Sequence, residues 1–236
     1  METRTTDIET PDGPMPLYEV VPDSPRGGVV VVQEVFGVNG HIQDVARRFA
    51  AEGYHAVAPH LFHRTGSPEL EYDFSTTAPH MAALTDDRIV ADVEAAVAHL
   101  GEAGWGAPRV GVVGFCFGGR VAFLVATVRP LGAAVSFYGG GIVTARTERF
   151  PAVVDRAGDL KAPWLGLFGD RDRSIPVEDV ERLRSELARG PLGHEIVRYP
   201  EAGHAFHNDE RPDNYEPEAA ADAWRRTVAW LEAHLH

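Results

Sequence analysis

Apolar positions along this chain follow two different periods. Gly28-Val29-Val30-Val31-Val32-Gln33, His55-Ala56-Val57-Ala58-Pro59, the run Val110, Val112 and Val113, Ala133–Tyr138, Trp164–Phe168 and Glu195–Tyr199 are short and rich in β-branched or aromatic residues. They predict strands, and the most continuous of them strands buried on both faces. Between them, Ile42, Val45, Ala46, Phe49 and Ala50 recur at helical spacing. So do Val90, Val93, Val97 and Leu100, then Val180, Leu183 and Leu187, and finally Trp224, Val228, Leu231 and Leu235. Asn39 suits the cap of the first helix, and Gly101 or Gly104 the close of the second. Thr6–Val21 reads as a hairpin, with Asp7-Ile8-Glu9 and Leu17–Val21 flanking the turn Pro11-Asp12-Gly13. Strands alternating with helices predict a single α/β domain over residues 1–236, with a mostly parallel sheet and helices on both faces. The polar, irregular stretch His60–Met81 reads as a lid.

One segment departs from simple alternation. Val110–Val113 runs through Gly114-Phe115-Cys116-Phe117-Gly118-Gly119 into the apolar series Val121–Ala126 with hardly a polar break. Strand, sharp turn and buried helix, with a nucleophilic side chain at the apex, form the pattern of a nucleophile elbow. A turn this tight strains its central residue and leaves no room for side chains two positions before or after it. Gly114 and Gly118 meet that demand. The following helix directs its free N–H groups and positive dipole end at Cys116, a setting that favours a thiolate. Lone cysteines are most often small buried hydrophobes, but the two glycines favour the nucleophile. The turn lacks the G-x-G-x-x-G spacing of a dinucleotide site.

Composition narrows the partners. Asp plus Glu number 35 against 22 Lys plus Arg, a net charge of −13. That balance disfavours nucleic acid and anionic membrane surfaces. One cysteine cannot form an internal disulfide, and residues 1–13 lack the apolar core of a secretory signal. The expectation is a cytoplasmic monomer acting on a small molecule, with no cofactor and no metal.

Glu34, Cys116, Asp172 and His204 each fall just past the end of a predicted strand, on the edge where parallel sheets bind ligands. A cysteine nucleophile needs an imidazole to manage its proton and a carboxylate to orient that imidazole. The order Cys116, Asp172, His204 is that of α/β-hydrolases. Asp170 competes with Asp172 behind the same strand, although its place directly after Gly169 suits a turn cap. His207 competes with His204. Paired, the two histidines would suggest a metal, but no nearby cysteine or helical register supports one. His60 and His63 read as loop polar groups. An oxyanion hole would use the backbone N–H groups of Phe117 and Val35. Glu34 is either a carboxylate close to the sulfur or a solvated strand end.

Gln33-Glu34-Val35-Phe36-Gly37, Gly114–Gly119, Gly169-Asp170-Arg171-Asp172 and Ala202-Gly203-His204, in that order, resemble the dienelactone hydrolase family of α/β-hydrolases. The resemblance runs from the first buried strand to the end of the chain. It implies an α/β-hydrolase fold, a Cys116–His204–Asp172 triad, and a Glu34 that contacts the thiol at rest and moves when substrate binds. It also implies opening of an enol-lactone, or cleavage of a small activated ester, through an acyl-enzyme. The pocket departs from the family pattern: where dienelactone-cleaving members have serine and then arginine after the histidine, this chain has Ala205 and Asn208. Phe36, Tyr138, Arg64 and Asn208 are the pocket residues expected here, with Arg88 or Arg211 as other cations for a substrate carboxylate. Two other readings are a general carboxylesterase or thioesterase with a different pocket, and a non-enzymatic scaffold that binds a ligand or senses oxidants through its thiol.

Overall fold

The apolar runs pair edge to edge into one eight-stranded sheet. The computed structural model describes residues 1–236. The strands are β1 (Glu2–Thr10), β2 (Gly13–Val21), β3 (Gly28–Val32), β4 (His55–Pro59), β5 (Val110–Phe115), β6 (Ala133–Phe137), β7 (Trp164–Gly169) and β8 (His194–Tyr199). Their spatial order is β1-β2-β4-β3-β5-β6-β7-β8; the β1–β2 and β2–β4 pairs are antiparallel and the rest parallel. All residues of β3 to β7 are buried, as strands covered on both faces must be. The hairpin is longer than its apolar pattern predicts, because β1 is an edge strand whose exposed Thr, Arg and Glu residues carry no hydrophobic signal.

Six helices connect or close the strands: α1 (Gly40–Ala51), α2 (Ala78–Ala82), α3 (Asp86–Glu102), α4 (Phe117–Val128), α5 (Val177–Leu187) and α6 (Pro217–His234). The step from β3 to β4 runs one way along the sheet and the step from β4 to β5 the other. Right-handed crossovers therefore place α1 on one face and α3, with α4 and α5 after it, on the opposite face. Helix α6 joins α1, with the rings of Phe49 and Trp224 at 4.5 Å. Asn39 caps α1 by accepting from the Ile42 N–H. Helix α3 runs through Gly101 to Glu102, capped by Ala103, and Gly104 takes the left-handed conformation (φ 97°). The buried face of α6 is Ala220, Ala223, Thr227 and Leu231, leaving Trp224, Val228 and Leu235 half-buried rather than in the core. Gly111 of β5 makes room for a large side chain of this helix: a Cβ there would lie 2.6 Å from the Leu231 side chain.

The 60–81 stretch holds two 3-10 turns (His63–Thr65 and Phe74–Thr76) before α2. It is fastened to the Glu34–Gly37 turn, where the Leu70 N–H donates to the Phe36 carbonyl at 2.9 Å. Gly37 (φ 84°) permits this approach, since a Cβ there would stand 2.3 Å from the Pro68 carbonyl oxygen. No helix is long and apolar enough to cross a membrane.

Between β5 and α4 the chain makes the strained turn. Cys116 has φ 54° and ψ −114°, a region that L residues rarely enter. A Cβ on Gly114 would lie 1.8 Å from the Gly118 carbonyl oxygen, and one on Gly118 2.3 Å from that of Val32. Neither neighbour is a side chain that can swing away. Gly118→Ala is therefore expected to destabilise the fold by about 3 kcal/mol or more. Urea unfolding checks it, and a midpoint matching the wild type would contradict the steric account.

Candidate active site

Four parallel strands deliver the site. The loop after β3 carries Glu34 and Val35, the elbow after β5 Cys116, the turn after β7 Asp172, and the loop after β8 His204. All stand beyond carboxyl ends of neighbouring strands, so residues up to 170 positions apart in the chain meet on one edge.

At the centre, His204 Nε2 lies 3.1 Å from the Cys116 sulfur, and Nδ1 lies 2.6 Å from Asp172 Oδ2. The second carboxylate oxygen of Asp172 accepts from the backbone N–H of Ser174 (2.9 Å) and from its hydroxyl (2.5 Å). Asp170 instead forms a two-oxygen ion pair with Arg198, at 2.7 and 2.8 Å. Burial pushes the His204 imidazole down, but the Cys116 sulfur and the Asp172 carboxylate outweigh it and raise the group to about 10. Burial also works to raise Asp172, yet its hydrogen bonds to His204 and Ser174 hold it below the usual carboxylate range. The charged imidazole is thus favoured between these two partners.

Glu34 is buried beside this centre and bonded differently from the expected thiol contact. Its Oε2 accepts from Asn208 Nδ2 at 3.2 Å, while Oε1 has no partner. The sulfur's hydrogen-bond partner is His204. Burial drives the Glu34 carboxyl up, towards its neutral form, against the nearby His204, Arg211 and Asn208. A carboxyl in that state competes poorly with a charged imidazole for the sulfur. Asn208 Nδ2 also reaches the Tyr72 hydroxyl (3.1 Å), which donates to Glu210 Oε2 (2.7 Å), so the buried carboxyl is tied to the 60–81 stretch.

A cavity of about 210 Å³ opens beside the sulfur, with Val35, Phe74, Met81, Cys116, Phe117 and Phe150 in its wall. Both expected oxyanion donors, Phe117 and Val35, share that wall with Cys116. Phe117 begins α4, so its N–H precedes any helical hydrogen bond. The other pocket residues fall elsewhere. Phe36 packs behind the cavity against Tyr72 and Phe74, with ring centroids 5.1 Å away in both cases. Tyr138, left-handed (φ 38°) and buried, sets its ring against His204 (5.2 Å), and its hydroxyl has no partner. Arg64 is outside the site, held by Asp92 (2.7 and 2.9 Å) and Asp12 (2.7 Å). Arg88 also faces Asp12, and Arg211 lies over the Tyr72 ring. Charge satisfied by buried Asp92 is what removes Arg64, and nothing in the local sequence reveals that partner.

Two residues that carry no motif do reach the site. Ser174 follows Asp172 by two positions, and Asp-x-Ser is a known local turn signal that could have exposed it. Arg146, on the loop after β6, lines the cavity; its sequence surroundings offer no sign of this.

An elbow cysteine, an aspartate and a histidine in this chain order on this sheet define the protein as an α/β-hydrolase. Its sequence matches the dienelactone hydrolase family over residues 15–235, and the chain belongs to that family. It is a carboxylic ester hydrolase by class. It is 41% identical over 233 residues (96% of this chain, 85% of the other) to the "Putative carboxymethylenebutenolidase" of Salmonella typhimurium. The Escherichia coli K12 protein of the same description is 40% identical over 236 residues (97% and 86%). Among solved structures, the "Putative Dienelactone Hydrolase" of Klebsiella pneumoniae superposes with a TM-score of 0.90 at 40% identity, covering 98% of each chain.

Behind the catalytic loop, His41 and His207 are buried with their rings 5.8 Å apart, and neither nitrogen of His207 has a partner. Burial lowers His41 from 6.5 to about 4 and takes His207 well below its usual value. The folded protein refuses protons that the unfolded chain accepts. The resulting stability is complete above pH 6.5 and is lost as pH falls towards 4, by up to about 3 kcal/mol for His41. His41→Leu should flatten the loss between pH 7 and pH 4.5 in urea titrations; an unchanged slope would contradict this.

Proposed function

We propose that this protein opens lactones or cleaves small activated esters by forming an acyl-enzyme on Cys116. The observation that carries the reading is the pair of contacts on one imidazole: 3.1 Å to the sulfur and 2.6 Å to Asp172. In the proposed cycle the thiolate attacks the carbonyl carbon, and the electron pair moves onto oxygen as an oxyanion. The N–H groups of Phe117 and Val35 receive that oxyanion. It collapses, the C–O bond to the leaving group breaks, and the departing alkoxide or enolate takes the Nε2 proton of His204. In a lactone this oxygen stays tethered to the acyl part. His204, now neutral, takes a proton from water, whose hydroxide attacks the thioester; the sulfur leaves as thiolate and the acid departs. Asp172, held by Ser174, keeps the imidazole oriented and favours its charged form.

A sulfur nucleophile suits substrates whose oxygen leaves readily. An amide intermediate would instead expel the thiolate and revert, which argues against peptidase activity. The small cavity suits a compact acyl group rather than a peptide or a lipid. Enol-lactones of the type that names the family fit both requirements. A reducing cytoplasm would keep the single cysteine a thiol, and the chain is read as acting as a monomer.

Cys116→Ala should abolish hydrolysis of p-nitrophenyl acetate and of dienelactone while circular dichroism stays that of the wild type. His204→Gln should lower kcat/KM by about 100-fold or more. In the wild type, activity on lactones should decline as pH rises through about 10, where His204 gives up the proton meant for the leaving oxygen. Full activity in Cys116→Ala would overturn the reading.

A further inference from the structure

Asp172 is buried behind the imidazole, and its two oxygens are used differently. Oδ2 meets His204 Nδ1 at 2.6 Å. Oδ1 meets Ser174, whose backbone N–H donates at 2.9 Å and whose hydroxyl donates at 2.5 Å. Any residue except proline could supply the backbone bond, because an aspartate two positions earlier closes a turn in this way. The hydroxyl is a separate addition, and it needs a serine or a threonine.

The proton of that hydroxyl has one place to go. Ser174 Oγ has three polar neighbours: Arg146 Nη2 at 2.7 Å, Asp172 Oδ1 at 2.5 Å and, more distantly, His204 Nδ1 at 3.5 Å. A guanidinium only donates and a carboxylate only accepts. Arg146 therefore occupies a lone pair of the hydroxyl oxygen and directs its proton onto Asp172. The same Nη2 also donates to the Ser174 carbonyl at 3.4 Å, and it rests against Gly140, where a Cβ would come within 2.1 Å. Donors in series polarise one another, so the charge of Arg146 strengthens the bond that Ser174 makes to Asp172. Both side chains lie at the exposed mouth of the site, where water limits the effect to about that of one hydrogen bond.

Donors to Asp172 spread its charge and weaken its hold on the imidazole proton. Burial works to raise the Asp172 carboxyl, and its bonds to His204 and Ser174 keep it below the usual range. An imidazolium facing such a carboxylate is a stronger acid. We propose that Ser174, with its proton directed by Arg146, is a positioning residue that tunes His204 as the acid of the cycle. It acts through Asp172 and stands outside the wall of the cavity beside the sulfur. The step affected is transfer of the Nε2 proton to the leaving oxygen, as that oxygen takes the electron pair of its breaking C–O bond. The proposal rests on the acyl-enzyme reading given above.

A weakly basic leaving oxygen needs that proton little, and a more basic one needs it more. 4-Nitrophenyl acetate and phenyl acetate carry one acyl group on oxygens of different basicity. The phenyl-to-nitrophenyl ratio of kcat/KM therefore isolates the acid, because binding of the acyl group cancels. Ser174→Ala should lower this ratio by about 3- to 10-fold, and Ser174→Thr should restore it. Arg146→Met should lower it less, and added to Ser174→Ala it should lower it no further. Equal losses on both esters in Ser174→Ala, the mark of a merely structural role, would overturn the proposal. So would additive falls in the double variant. Proton NMR reads the same coupling without turnover: the low-field signal of the His204 Nδ1 proton should move in Ser174→Ala and Arg146→Met, and lie near the wild-type position in Ser174→Thr. A signal fixed in all three variants would overturn the positioning role. A signal that moves in a protein hydrolysing neither ester would uphold the coupling and count against the proposed hydrolysis.

Discussion

The position of the sulfur depends on how closely the backbone packs at the elbow. Gly118 stands between the carbonyl of Val32 and the position where a Cβ on Gly114 would sit, with no space for even a methyl group. That contact locks β3, β5 and α4 together and holds Cys116 at φ 54°. The strain is local, and the buried strands on either side maintain it. Once the elbow is set, the start of α4, the Val35 loop and the cavity take positions relative to the sulfur with little freedom left. The imidazole arrives on the loop after β8, three strands further along the sheet.

Electrostatics complete what packing begins. The Cys116 sulfur and the Asp172 carboxylate flank one imidazole and raise it to about 10, while Ser174 supplies Asp172 with two donors. Glu34, a few atoms away, is pushed in the opposite direction by burial and is bonded only through Asn208. Two buried carboxyl groups in a small volume, Asp172 held down and Glu34 pushed up, thus avoid mutual repulsion by holding different protonation preferences. Across the cavity, Arg146 adds a positive edge to a protein that is strongly negative overall. The substrate side of the site and the triad side meet at Ser174.

The features legible in the sequence were those with a local cause. Steric demand at Gly114 and Gly118 exposed the elbow, and β-branched runs exposed β3 and β5. Their positions just past strand ends placed Glu34, Asp172 and His204 on one edge. What stayed hidden depended on partners remote in the chain. Arg64 reads as a pocket cation until Asp92, 28 positions on, takes its Nη donors and Asp12 its Nε. The expected Glu34–thiol contact gave way to Asn208, 174 positions away. Helix α6 buries Ala220, Ala223 and Thr227 beside the predicted Leu231, so small residues share the face that its large side chains alone predicted. Arg146 had no periodicity, motif or capping role to mark it.

The central claim is that a thioester forms on the elbow sulfur. Rapid quenching after mixing with a slowly hydrolysed activated ester, followed by intact and peptide mass spectrometry, tests it most directly. The account predicts a protein heavier by one acyl group, with the added mass on the peptide containing Cys116, accumulating further in His204→Gln and absent in Cys116→Ala. Turnover with the sulfur unmodified at every time point, or acyl mass located on another residue, would contradict it.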